Sequence, residues 1–267
     1  MAERQAELTL MLRALRLPTM AANYADLANK ATKAGLTHEA YLYEVVRSEQ
    51  IQRGENRIAR LLHRSELPLE KTFRTLKLEL FPPIIRQQVE RLRTGAFLSD
   101  AVNIVAVGKP GVGKSHLLAA LGYELVLAGH SVYWTSTASL VQKLLAAKRD
   151  LRLPQFIEQL DRFELLILDD IGYVQYDRDE MEVFFTLLAS RYERLSLAIS
   201  TNLTFSDWTR IFKNPMTTLA AIDRVVHHSV ILDLMMMDSH RAMEAEGQQR
   251  KEVTLSNLPV PSDPAAS

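Results

Sequence analysis

Residues 108–115 read GKPGVGKS, which fits the pattern G-x-x-x-x-G-K-[S/T]. An apolar run, NIVAV, precedes it at 103–107, and a helical pattern, LLAALGYELVLA, follows at 117–128. A glycine-rich turn between a buried strand and a helix belongs to a parallel sheet with helices on its faces. The chemistry of the turn narrows its ligand. Glycines let the backbone curl so that successive N–H groups point at phosphate oxygens. The following helix presents its positive N-terminal end to the same anion. Gly108, Lys109, Pro110, Gly111, Val112 and Gly113 form the cradle. Lys114 brings a point charge to the β- and γ-phosphates of ATP, and Ser115 offers a hydroxyl to Mg2+. His116 adjoins the same site, where its ring packs or caps.

Three further segments fit that reading. LLILDD, at 165–170, is an apolar strand ending in acids. Asp169 is expected to hold the Mg2+ shell and Asp170 to orient or deprotonate the attacking water, unless Asp170 merely caps a loop. The strand pattern LAIST runs into Asn202, a polar group able to touch the γ-phosphate or the lytic water, or else an ordinary turn residue. AAIDRVVHHS holds one cation, Arg224. It is placed to reach a neighbouring subunit's γ-phosphate, or to serve as a solvated or internally paired charge.

The rest of the chain divides by pattern. Leu8, Met11, Leu12 and Leu15, then Met20, Tyr24 and Leu27, recur at helical spacing. Gly35 breaks the run, Thr37 is a candidate N-cap, and Gly54 is a weak point in the next helix. Prolines at 68, 82 and 83 mark the end of this helical front. From residue 99 strand and helix patterns alternate, with strands expected at 103–107, 131–135, 165–168, 198–201 and 230–234. This predicts a helical domain over 1–66, a linker over 67–98, an α/β nucleotide-binding domain over 99–246 and a disordered tail over 247–267.

Composition removes other chemistries. There are no cysteines, so disulfides, thiolate nucleophiles and Cys-ligated zinc are excluded. No run approaches the ~20 apolar residues of a membrane span. The first residues, MAERQAELTLMLRALRL, interleave charges with apolar positions, unlike a signal peptide. A cytoplasmic protein with no membrane partner is expected. Net charge is zero, but residues 1–100 carry 16 Lys/Arg against 12 Asp/Glu, a difference of +4. Arg53, Arg57, Arg60 and Arg64 fall on one face of a helix, a stripe that suits either solvent or DNA phosphates. The seven histidines show no clustering with carboxylates at ligand spacing, and His227 and His228 would point oppositely on a strand. Met235, Met236 and Met237 read as core filling on a strand.

The strings GKPGVGKSHLLAAL, LLILDDIGY, RYERLSLAISTNLTFSDW and AAIDRVVHHS, with LPLEKTF ahead of them, resemble the IstB-like helper ATPases of insertion sequences, relatives of the DnaC-type helicase loaders. The resemblance covers most of the chain. It implies an AAA+ fold, ATP-dependent assembly of an oligomer on double-stranded DNA, and a transposase partner of the IstA type. It also implies roles: Lys114 and Ser115 as Walker A ligands, Asp169 and Asp170 as Walker B acids, Asn202 as sensor 1 and Arg224 as the arginine finger. Arg241 stands where the family has an arginine that reads the nucleotide from the C-terminal side. Around it the chain reads MDSHR, with Met237 and His240 where the family has glycine and an aromatic residue. A helicase loader and a nucleotide-gated scaffold with little turnover fit the same motifs.

Overall fold

A computed structural model describes residues 2–172, 177–208 and 215–237. The chain forms two compact units, residues 1–63 and 64–267.

The first unit holds α1 (Ala2–Ala14), α2 (Pro18–Ala34) and most of α3 (His38–Ser65). Gly35 ends α2 in the left-handed conformation, with φ 63°. Thr37 Oγ1 then accepts the Ala40 N–H at 3.2 Å, the expected N-cap of α3. Gly54 leaves α3 unbroken. The start of α2 has no cap from its own residues. Instead the buried Glu49 carboxylate on α3 accepts the N–H groups of Thr19 and Met20, each at 2.9 Å. An anion at a helix N-terminus meets both unpaired donors and the positive end of the dipole.

The second unit is built on five parallel strands in the order β2-β3-β4-β1-β5. These are β1 (Asn103–Val107), β2 (Val132–Ser136), β3 (Leu165–Ile171), β4 (Ser196–Thr201) and β5 (Ser229–Asp233). Every residue of β1 and β4 is buried. The apolar runs Ile104–Val107 in β1 and Leu197–Ile199 in β4 suit central strands covered on both faces. The connecting helices are α5 (Lys114–Leu127), α6 (Thr137–Arg149), α7 (Leu153–Leu160), α8 (Arg178–Arg191) and α9 (Pro215–Val226).

Residues 67–98, expected as a linker, are packed into this unit. Within them α4 (Pro83–Arg93) lies against α5 and β5, burying Ile85, Val89 and Leu92 on one helical face. Phe81 is 2% exposed. Pro82 and Pro83 start α4 here rather than end a domain, since proline costs no hydrogen bond in a first turn.

A second correction concerns the methionines. The strand stops at Asp233, whose Oδ1 accepts the Met235 N–H at 2.9 Å. The three methionines lie in the turn beyond it, with Met236 95% exposed and Met237 buried. The expected tail, 247–267, lies outside the described residues.

Because β4 sits between β1 and β3, the C-terminal ends of these three strands lie side by side. That edge of a parallel sheet is where ligands bind.

Candidate nucleotide site

The loop after β1 carries the phosphate cradle. Gly111 and Gly113 have φ 83° and 100°, the left-handed turns that aim N–H groups inward. Gly108 is needed for a different reason. A Cβ there would lie 2.9 Å from Leu234 Cβ and 3.0 Å from Val112 Cγ2. Val112 is fully buried and pins the loop to the core, while Lys109 and Pro110 are exposed. Gly113 caps α5 without a side chain, and the first intrahelical bond runs from Leu117 N–H to Gly113 O at 2.8 Å. The amides of the first turn therefore lie ahead of the helical ladder, at the positive end of a 14-residue helix.

Lys114 is 8% exposed. Its Nζ donates to Gly108 O at 2.7 Å and Lys109 O at 3.0 Å. The ammonium thus spans the loop it closes, held by neutral carbonyls that a phosphate would outcompete. Ser115 is half-buried beside it. His116 turns away: its Nε2 lies 3.1 Å from both Thr72 O and Thr75 Oγ1. The ring anchors the 72–75 turn, leaving only its main chain at the phosphate loop.

At the tip of β3 the pairing with β4 shifts, Leu168 facing Ile199 but Ile171 facing Thr201. This bulge leaves Asp170, with φ 62°, the more exposed of the two acids while Asp169 stays half-buried. Ser200 Oγ accepts the Asp170 N–H at 2.8 Å and donates to Asp169 Oδ1 at 2.6 Å. Partial burial, and then the charge of Asp169, raise the pKa of the Asp170 carboxyl, against the pull of Lys114. The two acids and the ammonium therefore share one electrostatic site, and a carboxylate of raised basicity suits proton abstraction.

At the tip of β4, Thr201 Oγ1 donates to Ile171 O at 2.9 Å. Next to it Asn202 Oδ1 is buried with no hydrogen-bond partner. An orphaned buried acceptor calls for a donor. Asn202 lies on the same strand-tip edge as the glycine cradle and the ammonium.

Arg224 does not join this edge. It sits in the last turn of α9, where its own carbonyl accepts from Asn103 Nδ2 at 3.3 Å, beside the start of β1. Its guanidinium lies 4.1 Å from the Phe185 ring centroid, and Nη1 is buried without a hydrogen-bond partner. The length of the sheet separates it from the phosphate loop of its own chain. Arg241 lies outside the described residues.

The arginine stripe is not uniform. Arg53 Nε pairs with Glu49 at 2.9 Å, and its Nη2 donates to Arg16 O. Arg60 Nε donates to Asn56 O at 3.1 Å. Together with Asn56, Ala59 and His63 these two line a cavity of 590 Å³. Arg57 is exposed on the same helix. Arg64 belongs to the second unit, where it lies 5.5 Å over the Phe163 ring.

Two features escaped the sequence. Ser200, which orients both acids, is one of two serines in β4, and nothing local marks it from Ser196. The histidines also cluster after all. α9 ends at Val226 and the chain turns, so His227 and His228 share a side and meet edge-on at 4.7 Å beside Glu193. Both residues precede β5, which starts at Ser229, so no strand alternation separates them.

Residues 10–247 match the model of the family described as IstB-like ATP binding protein. An insertion sequence ATP-binding protein of Sinorhizobium fredii, y4iQ/y4nD/y4sD, is 41% identical over 91% of this chain and 82% of its own. The IS21 ATP-binding protein of Pseudomonas aeruginosa is 32% identical over 96% of each chain. Among solved structures, the replication initiator DnaA bound to AMPPCP and single-stranded DNA superposes with TM-score 0.55 at 15% identity, over 70% of this chain and 56% of that one. DnaI superposes with TM-score 0.52 at 18% identity, over 64% and 96%. At such identities these two speak for the AAA+ P-loop fold alone. By the family match along most of its length, the chain belongs to the IstB-like ATP-binding family, and its P-loop domain is an ATPase.

Proposed function

We propose that the chain is an ATP-dependent, DNA-binding helper of transposition that assembles as an oligomer on double-stranded DNA and recruits or stimulates a transposase. The observation that carries the reading is the position of Arg224. Its guanidinium lies over the Phe185 ring with one nitrogen lacking a hydrogen-bond partner, at the opposite end of the sheet from the chain's own Walker residues. Such an arginine serves the site of the next subunit, which makes ATP binding and assembly one equilibrium. The insertion-sequence relatives support the transposition role.

The residues act in a defined order. Lys114 exchanges the Gly108 and Lys109 carbonyls for phosphate oxygens, and the first-turn amides of α5 hold the same charge. Ser115 and Asp169 would hold Mg2+, which supplies positive charge to the phosphate oxygens. Ser200 fixes Asp169. Asp170 takes the proton of the attacking water, and Asn202 Oδ1 accepts a hydrogen bond from that water. Arg224 of the neighbouring subunit stabilises the charge that develops on the transferred phosphoryl group.

Mixing variants tests both halves. Lys114→Ala lacks a nucleotide site but keeps its arginine, and Arg224→Ala has the reverse. Each alone should fail to assemble on duplex DNA with ATP, as read by sedimentation. Together they should recover part of the ATPase activity, because mixed interfaces contain one intact site. No recovery would reject the shared site, and wild-type chain that ignores duplex DNA would reject the helper reading. Co-purification with a replicative helicase instead of a transposase would move the protein to the loaders.

A further inference from the structure

We propose that Glu193, His227 and His228 form a binding site for a divalent transition-metal ion of the zinc class, separate from the nucleotide site. One ligand atom from each residue lies within 4.8 Å of the other two. His228 Nε2 is 3.6 Å from Glu193 Oε1, and the imidazoles meet edge-on, with an interplanar angle of 88°. Two imidazoles and a carboxylate form a donor set that prefers zinc, cobalt or nickel to magnesium, with further positions open to water.

The backbone beneath these side chains is fixed. The His227 N–H donates to Asp223 O at 3.0 Å, and His228 O accepts the Asn103 N–H at 2.7 Å. Glu193 follows the fully buried Arg191 by two residues and is held with φ 55°. The side chains themselves are exposed, so rotation about χ angles can draw the ligand atoms to metal distance, roughly 2.0–2.2 Å, without moving the core. Ligands come from the loop between α8 and β4 and from the turn after α9. A bound ion therefore ties that loop to the end of the helix carrying Arg224.

The test uses the full chain, stripped of metal and then held with Mg2+ and ADP so that the phosphate loop is occupied. Zn2+ is titrated by calorimetry and Co2+ by visible absorption. One saturable Zn2+ site is expected, with the thermal midpoint rising as it fills. His228→Ala and Glu193→Gln should each weaken binding by about tenfold or more, and the triple variant Glu193→Gln/His227→Ala/His228→Ala should abolish it. His130→Ala, at the separate His130–Glu164 pair, should bind as the wild type does. Wild-type chain without saturable Zn2+ binding overturns the proposal, as does a triple variant that binds equally well. Either result would leave the cluster without a metal role and would not touch the ATPase.

Discussion

Ser200 Oγ donates to Asp169 Oδ1 across 2.6 Å, the bond by which β4 sets the acid at the tip of β3. The same oxygen accepts the Asp170 N–H at 2.8 Å, so one hydroxyl orients both acids. Groups that orient a metal-holding carboxylate typically contribute ten- to a hundredfold to activity. Ser200→Ala should therefore lower the kcat of ATP hydrolysis by about tenfold or more while ATP still binds, because Lys114 and the cradle are untouched. Steady-state kinetics beside a nucleotide titration separates the two. An unchanged kcat would mean that Asp169 holds its position without help.

Gly108 meets the core rather than an unusual φ. Its added Cβ would face Leu234 Cβ at 2.9 Å and the Leu234 carbonyl carbon at 3.2 Å. Neither atom can swing away as a side-chain end can. Gly108→Ala should push the phosphate loop away from the chain after β5, at a stability cost of about 1–3 kcal/mol. The Gly108 carbonyl that holds Lys114 moves with it, so ATP should also bind more weakly. Thermal unfolding and nucleotide titration of the variant would check both. A variant with wild-type melting would show that the loop has room to spare.

How much was legible depended on whether a residue's partners are local. The phosphate loop is a contiguous string, and β1 fell at residues 103–107 as expected, because a buried five-residue run carries its own boundary signals. The acids at the end of LLILDD and the polar residue after LAIST were read from apolar runs that end in polar residues. Ser200 did not, since its role comes from Asp169, 31 positions earlier. Nor did Glu49 as the cap of α2, because its donors lie 29 and 30 residues away. Packing of α4 was legible in principle: Ile85, Val89 and Leu92 recur at helical spacing, but the prolines before them suggested a boundary. The histidine cluster was hidden because its third member, Glu193, is far from His227 in the chain and is brought beside it only by the fold.

Arg191 gives a prediction about the scaffold rather than the chemistry. It is fully buried, and its guanidinium donates to the carbonyls of Leu160, Phe163, Glu164 and Ser196 and to Asp161. Burial pushes its pKa down to about 10, offset in part by Asp161, so it stays charged at neutral pH. One side chain thus ties the end of α7 and the approach to β3 to the start of β4. Arg191→Met keeps the apolar stem but orphans several buried carbonyls. The loss should be about 3–5 kcal/mol, as for a broken buried ion pair, read by urea unfolding. A loss under about 1 kcal/mol would mean that water replaces the guanidinium.

Glu49 makes the helical front acid-sensitive. Burial alone would raise its pKa, but hydrogen bonds from Met20, Arg53 and Thr19 and the Arg53 charge outweigh that and leave it below the ordinary 4.5. A carboxyl whose folded pKa is depressed binds protons more weakly in the native state. Its stabilising contribution is fully present above the unfolded value and is lost as pH falls from there through the folded value. Hydrogen exchange of the α2 amides in the full chain, corrected for intrinsic rate, should show protection falling as pH drops below 4.5. Glu49→Gln preserves volume but cannot carry the charge. It should start with weaker protection near pH 7 and show a shallower fall through the acid window. If wild type and variant lose protection in parallel, the acid sensitivity arises elsewhere, and the carboxylate is no more than a neutral cap.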